Sequence, residues 1–323
     1  GTSGTAPTVA ETGSPGVAAA RAPQVSVVIP TRNREHLIAD AVGNALDQPG
    51  VRVEAVVVDD ASDDGTAGVL GAIDDQRLRV VRRRQRGRLA AARNSGIAAA
   101  SGRWVAFLDD DDLWSPDKLR LQLAAVEASG AGFAYGGAVT VNDDLEPLHL
   151  WRQPEPKELL RELLALNVLP AGASNVLART ALVRELGGFD TALSHTTDWD
   201  MWIRLARATS AASVAEVVVA YRLHEGQESR REHEMVAELD VLEAKFRALR
   251  AELGVDLDRA AFEEYAARRS EDREAAATGP ARRALAGIRA RAGGGIERLR
   301  GASGRTAVEC PDWLAARAAG GRR

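Results

Sequence analysis

Residues 104–119 read Trp-Val-Ala-Phe-Leu-Asp-Asp-Asp-Asp-Leu-Trp-Ser-Pro-Asp-Lys-Leu. Five apolar residues, Trp104 to Leu108, run directly into four carboxylates, Asp109, Asp110, Asp111 and Asp112. A short apolar run without polar alternation suits a strand buried on both faces, and such strands belong to parallel sheets covered by helices on each side. Ligands of these sheets collect at the carboxyl ends of the strands. Carboxylates two residues apart at such an end can project the same way and hold a hard divalent cation. Four aspartates would serve equally well as a solvated turn. The strand before them and the Leu113-Trp114-Ser115-Pro116 that follows favour the cleft.

The pattern extends outward in both directions. Val25 to Ile29, closed by Pro30, reads as a first strand, and residues 35–47 carry Leu37, Ile38, Ala41, Val42, Ala45 and Leu46 at helical spacing. A strand from Val53 to Val58 stops at Asp59-Asp60, and Asp63-Asp64-Gly65-Thr66 turns into a helix at 66–73. Leu78–Val81 is a third strand and Leu89–Ala100 a helix. Beyond the acidic run the expected elements are a helix at 116–129, a strand at 132–141, a Pro-broken segment at 147–156 and a helix at 157–166. They continue with a strand near Ser174–Ala178, a Gly187-Gly188-Phe189-Asp190 turn, a helix at 198–208 and a strand at Ala215–Tyr221. This alternation predicts an α/β domain over 24–227, with a single mostly parallel sheet and helices on both faces.

The flanks read differently. Residues 1–23 hold almost no large apolar side chain and predict a disordered leader. Met235, Leu239, Leu242, Phe246, Leu249 and Leu253 form an alternating four-and-three stripe within a helical extension over 228–270. Two roles are open to that stripe, packing on the domain or pairing two protomers as a homodimer. Residues 271–323 are Arg/Ala/Gly-rich and predict a tail that is partly helical or disordered, whose arginines could rest on an anionic membrane surface.

The bulk numbers exclude several classes. A net charge of −4 gives no global attraction to nucleic acid. Cys310 is the single cysteine, which rules out an intramolecular disulfide and a multi-cysteine zinc site and suits a reducing, cytoplasmic setting. No window approaches the roughly 18 apolar residues of a membrane-spanning helix, so any membrane contact is expected to be peripheral. Pro30-Thr31-Arg32-Asn33 follows the first strand where a dinucleotide-binding fold would carry Gly-x-Gly-x-x-Gly.

Six stretches in order carry a resemblance to the inverting glycosyltransferases of family 2, whose fold is the A type. They are VVIPTRNR from Val27, VVDDASDDGT from Val57, RLAAARNSG from Arg88, FLDDDDLWSPDKL from Phe107, GGFD from Gly187 and DWDMWIRLA from Asp198. Over 25–224 the resemblance implies a nucleotide-sugar transferase that uses Mg²⁺ or Mn²⁺. Pro30, Thr31, Arg32 and Asn33 would line the nucleotide, with Thr31 meeting the base through its backbone. Asp60, beside Asp59, matches the carboxylate that accepts from a uracil or thymine imide, which implies a UDP- or dTDP-sugar. Arg88 matches the basic residue near the diphosphate, where a planar guanidinium suits anionic oxygens.

Asp109 and Asp111 match the outer members of the Asp-x-Asp motif, with Asp109 and Asp110 toward the donor and Asp111 on the metal; a one-residue register shift would use Asp110 and Asp112. His224 matches a histidine that approaches the metal or diphosphate. Asp198 matches the base that deprotonates the acceptor, with Asp200 in reserve, although Thr197 stands where the family has Glu. Trp199 and Trp202 flank it and could offer a face to an acceptor sugar or belong to the core. Each polar residue also has an ordinary role as a cap or turn residue. The acceptor could be a glycan, a lipid-linked sugar, a peptide or a natural product. A non-catalytic nucleotide-sugar-binding relative serving as an assembly module is the alternative reading.

Overall fold

The computed structural model describes residues 22–224, 232–267 and 310–320. Apart from residues 22–23 and 310–320, the expected leader and the tail over 271–323 lie outside the described residues. The first half of the sheet is parallel and runs in the order β3 (Leu78–Arg82), β2 (Val53–Asp59), β1 (Val25–Thr31) and β4 (Trp104–Phe107). It continues through β8 (Leu177–Arg179), β6 (Phe133–Val141), β9 (Ala211–Arg222) and β5 (Leu113–Trp114), with β7 (Pro147–Trp151) beside β6. β5, β7 and β8 oppose their neighbours, while β6 and β9 pair in parallel and point the same way as β1 to β4. The sheet is therefore mostly parallel, as the sequence predicts.

Two of the differences have plain causes. The Pro-broken segment at 147–156 contains β7, which Pro147 can open because a first-position proline forfeits no ladder bond that the strand needs. The strand expected near Ser174–Ala178 begins as a 3₁₀ turn at Gly172–Asn175 and only then becomes β8, antiparallel to β4. Two-residue β5 was too short to register in any periodicity, yet it pins the acidic run: β4 holds one end and the β5–β9 ladder the other.

Pleating divides the core. Val25, Val27 and Ile29 of β1 face α1 (Ile38–Leu46), α2 (Thr66–Gly71) and, further along the sheet, α4 (Lys118–Ser129). Val28 faces the other way, toward α3 (Arg88–Ala99). That second layer also holds α5 (Leu159–Ala165), α6 (Thr180–Glu185), α7 (Thr197–Ala208) and α8 (Glu232–Leu253). The backbone of α3 comes so close to β1 that a Cβ on Gly96 would stand 2.3 Å from Val28 Cγ1. Two residues earlier, Asn94 exchanges two hydrogen bonds of 2.8 Å with the backbone of Phe189, locking α3 to the Gly187–Asp190 turn.

The stripe of α8 is buried by the domain itself: Leu239 and Leu242 are fully enclosed, alongside Met235, Phe246 and Leu249. Packing on the domain is thus the role this stripe takes, and its apolar face is not free for a second protomer. Helical residues 259–267 (α9) add Phe262, whose ring stacks on Trp199 at 5.5 Å. α10 (Asp312–Gly320) covers the β5–β9–β6 edge, burying Leu314 against Leu113, Val139 and Val141. Among the described residues, no helix is long and apolar enough to cross a membrane.

Candidate functional site

The carboxyl ends of β1, β2, β4 and β9 share one rim of the sheet, and the polar clusters of the sequence gather there in a cleft of about 180 Å³. Pro30, Thr31, Arg32 and Arg34 come from the end of β1, and Asp60 follows β2. Arg88 enters from the start of α3, and Asp109, Asp110 and Asp111 follow β4. Three arginines thus face four carboxylates across one opening.

Each member is held by a specific contact. Thr31 Oγ1 donates to Asp110 Oδ2 at 2.6 Å, and Arg34 Nε lies 3.6 Å from the other oxygen. Burial and the charge of Asp111 raise the Asp110 carboxyl to about 8, against the pull of Thr31 and Arg34. Asp60 accepts from Gly87 N with both oxygens at 3.0 Å and pairs with Arg83 Nε at 2.7 Å. It therefore braces the turn ahead of α3, and the arginine that pairs with it is Arg83. Arg88 has φ +61°, a left-handed conformation uncommon outside glycine, and its Nη1 donates to Ser194 Oγ at 2.5 Å.

Not every expected donor-side residue reaches the cleft. Asp59 is enclosed, accepting from Ser62 N at 2.9 Å with Arg82 Nε 3.5 Å away. Asn33 staples its loop to the next one, its Oδ1 accepting from Asp63 N at 3.0 Å and its own N–H donating to Ser62 Oγ. Both act as the turn residues that their types favour.

The four aspartates separate by environment. Asp112 is 1% exposed, accepting from Ser174 Oγ at 2.6 Å and from Arg222 N at 3.1 Å. Burial, reinforced by Asp111 and Asp109, holds its carboxyl well above the usual range. Asp111 lines the opening, and His224 Nε2 lies 2.9 Å from its Oδ2. Among the described residues no three His, Cys, Asp or Glu side chains group into a closed metal cage. An open site needs none, because Mg²⁺ is usually held by one or two carboxylates and completed by water and substrate phosphates. A carboxylate oxygen and an imidazole nitrogen side by side at the rim fit that requirement.

Arg93 of the RLAAARNSG stretch is assigned no role by sequence reasoning. It is 2% exposed, its Nη2 donates to Asp109 Oδ1 at 2.7 Å, and its guanidinium lies over the Phe189 ring at 5.2 Å. An arginine among Ala90, Ala92, Gly96 and Ile97 on a buried face was the available signal, because an unpaired charge would not be placed there. Its charge also acts on Asp198. Burial raises the Asp198 carboxyl above the ordinary range, with Arg93 opposing and Asp109 adding to the rise. Asp198 Oδ1 accepts from Trp199 N at 2.8 Å, and a Cβ on Gly172 would stand 2.9 Å from Oδ2. Gly172, at φ +50°, leaves the approach to that oxygen open.

The remaining candidates are enclosed. Asp200 is fully buried, gripped by Arg204 Nη2 and Lys245 Nζ, each at 2.6 Å. Trp199 donates from Nε1 to Leu163 O at 2.6 Å, and Trp202 packs among Phe107 and Phe189. Spacing three apart puts both indoles on the inner face of α7, so both take the core role and neither lines the opening.

Comparison with known proteins bears on the family and the fold. A family model described as glycosyl transferase family 2 matches residues 26–187. The succinoglycan biosynthesis protein ExoO of Rhizobium meliloti is 34% identical over 242 residues, 71% of this chain and 67% of that protein. The UDP-Glc:alpha-D-GlcNAc-diphosphoundecaprenol beta-1,3-glucosyltransferase WfgD of Escherichia coli is 28% identical over 221 residues, 68% of this chain and 85% of its own. The structure of the mannosyltransferase PcManGT from Pyrobaculum calidifontis, in complex with GDP-Man and Mn²⁺, aligns at a TM-score of 0.55 and 23% identity, over 83% of this chain and 80% of that one. That likeness carries the fold.

Proposed function

Because this chain belongs to glycosyl transferase family 2, we propose that it transfers a sugar from a UDP- or dTDP-sugar to an acceptor hydroxyl, with inversion, using Asp198 as the base. The observation that carries the reading is Arg93, which ties Asp109 of the donor cleft to the neighbourhood of Asp198. A base and a donor site must adjoin for a single displacement, because the acceptor attacks opposite the departing diphosphate.

The residues divide the work. Arg88 and the backbone after β1 receive the nucleotide diphosphate, and Asp60 at the base end favours a pyrimidine. Asp111 and His224 would hold Mg²⁺ or Mn²⁺, which supplies positive charge beside the departing diphosphate. The register is then Asp109 and Asp111, since Asp112 is committed to Ser174 and Arg222. Asp198 takes the proton from the acceptor hydroxyl, and its raised affinity for a proton suits that task. The names of ExoO and WfgD favour a glycan or lipid-linked sugar as acceptor.

Thermal unfolding with UDP, dTDP, GDP and CDP, each with and without Mn²⁺, tests the donor half. A ligand at 100 times its Kd stabilises the native state by about 2.7 kcal/mol, a readily measured shift. UDP or dTDP should stabilise with Mn²⁺ and fail to do so in Asp111→Ala. Stabilisation by GDP alone would remove the pyrimidine assignment, and none by any nucleotide would favour a non-catalytic role.

A further inference from the structure

The segment between the Gly187–Asp190 turn and α7 leads directly into Asp198, the second residue of α7, yet α7 has no side-chain cap of its own. Its loop is held instead from 42 to 44 residues away. Glu238 of α8 accepts from Ser194 N at 2.7 Å through one carboxylate oxygen. Through the other it accepts from His195 N, Thr196 N and Thr196 Oγ1, at 3.0, 2.9 and 2.9 Å. Lys245, two turns on, binds Asp190 at 2.7 Å and Asp200 at 2.6 Å, gripping both ends of the same segment. On the other side of the loop, Ser194 Oγ accepts from Arg88 in the donor cleft.

We propose that Glu238 is a positioning residue for the transfer reaction: by holding Ser194–Thr196 it sets the Arg88 guanidinium for the donor diphosphate and the start of α7 for the acceptor. This rests on the donor reading above. A carboxylate suits the task because it supplies acceptors only, and bonds from N–H groups to a charged acceptor are about twice as strong as neutral ones. It also places negative charge at a helix N-terminus, where the peptide dipoles favour it. α8 thereby becomes part of the donor and base machinery.

Glu238→Gln keeps the size and replaces one acceptor oxygen by a donor. Two measurements on the full chain separate the clamp from its consequence. Hydrogen exchange of the peptide spanning 194–196, without ligand, should quicken in the variant; unchanged exchange would overturn the clamp itself. UDP affinity with Mn²⁺, measured by calorimetry, should weaken roughly tenfold in Glu238→Gln but less than about twofold when the same change is made on Ser194→Ala, because the two act through one contact. An equal loss in both backgrounds would mean a general structural effect and would overturn the proposal. Should Glu238→Gln not fold, Ser194→Ala alone carries the test from the other side of the loop, with a similar loss expected and no loss fatal. Wild-type protein that binds no nucleotide would bring down the donor reading and this inference with it, while the exchange result would still report on the clamp.

Discussion

Asp111 and Asp112 leave one turn in opposite directions, and the same substitution should have opposite effects on them. Asp111→Ala removes a rim carboxylate whose partner is His224, so turnover should fall by roughly 10²–10³-fold while the unfolding midpoint stays close to wild type. Asp112→Ala strands the Ser174 hydroxyl and the Arg222 N–H inside the protein, which should cost about 2–3 kcal/mol in urea unfolding. Reversed outcomes would move the metal-side carboxylate to Asp112. Asp198 offers a pH test. Its folded carboxyl binds a proton more readily than an ordinary aspartate, and only the deprotonated form can act as base. The rate should therefore be full at high pH and fall as pH drops through that raised value, so the acid limb of kcat/KM should lie above the usual carboxylate range. Asp198→Asn should lose that limb together with the rate; a variant that kept both would exclude this residue as base. The acidic run was legible as carboxylates at the end of an apolar strand, whereas Thr31, Asp60 and Arg88 were legible through the motifs that carry the family resemblance. Asn33 and Asp59 were not separable from them: Asp59 stands one step before Asp60 at the end of β2, where extended backbone turns alternate side chains to opposite faces, and Asn33, at φ +54°, turns off the end of β1 into its loop. Glu238 had no local signal at all: its partners are 42 or more residues away.

At the scale of elements, the apolar runs announced β1 and β2 because both faces of these strands are covered, and a continuous run then carries the whole message. β3 is an edge strand with exposed arginines and was read from its few Val and Leu residues. β5 was silent for want of length, and α6, as short as α2, lacked the Asp-Asp-Gly-Thr turn that announced α2. The motif RLAAARNSG has a packing explanation beside its chemical one, because Asn94 is docked to Phe189 and Gly96 lets α3 approach β1. Gly96→Ala would press a methyl into Val28, whose side chain lies in a filled layer. Such overpacking typically costs 1–3 kcal/mol, and a denaturant titration should show a loss of about that size with an unchanged slope. A neutral result would mean that α3 can shift outward, and with it Arg88 and Arg93.

The whole molecule bears on where the catalytic unit ends. Sequence patterning places a boundary at 227, because the strand pattern stops near Tyr221 and a stripe suited to a separate helix begins at Met235. That stripe is indistinguishable in one dimension from a dimer seam, since an a/d face buried against its own domain has the same period. In three dimensions Leu239, Leu242, Phe246 and Phe262 join Trp199, Met201 and Trp202 in one core. A chain ending at residue 227 would expose the surface that these side chains cover. Each large apolar side chain contributes about 1.5–3 kcal/mol on burial, so together they exceed roughly 5 kcal/mol, a large part of the 5–15 kcal/mol that holds a typical domain together. It would also take Lys245 away from Asp190 and Asp200 and leave without their acceptor the three N–H groups that Glu238 satisfies. A protein cut after residue 227 should therefore lack a cooperative thermal transition and bind no nucleotide, while the full chain does both under the same conditions. A sharp transition in the shortened protein would make α8 an accessory and would leave Glu238 without a necessary part in the site.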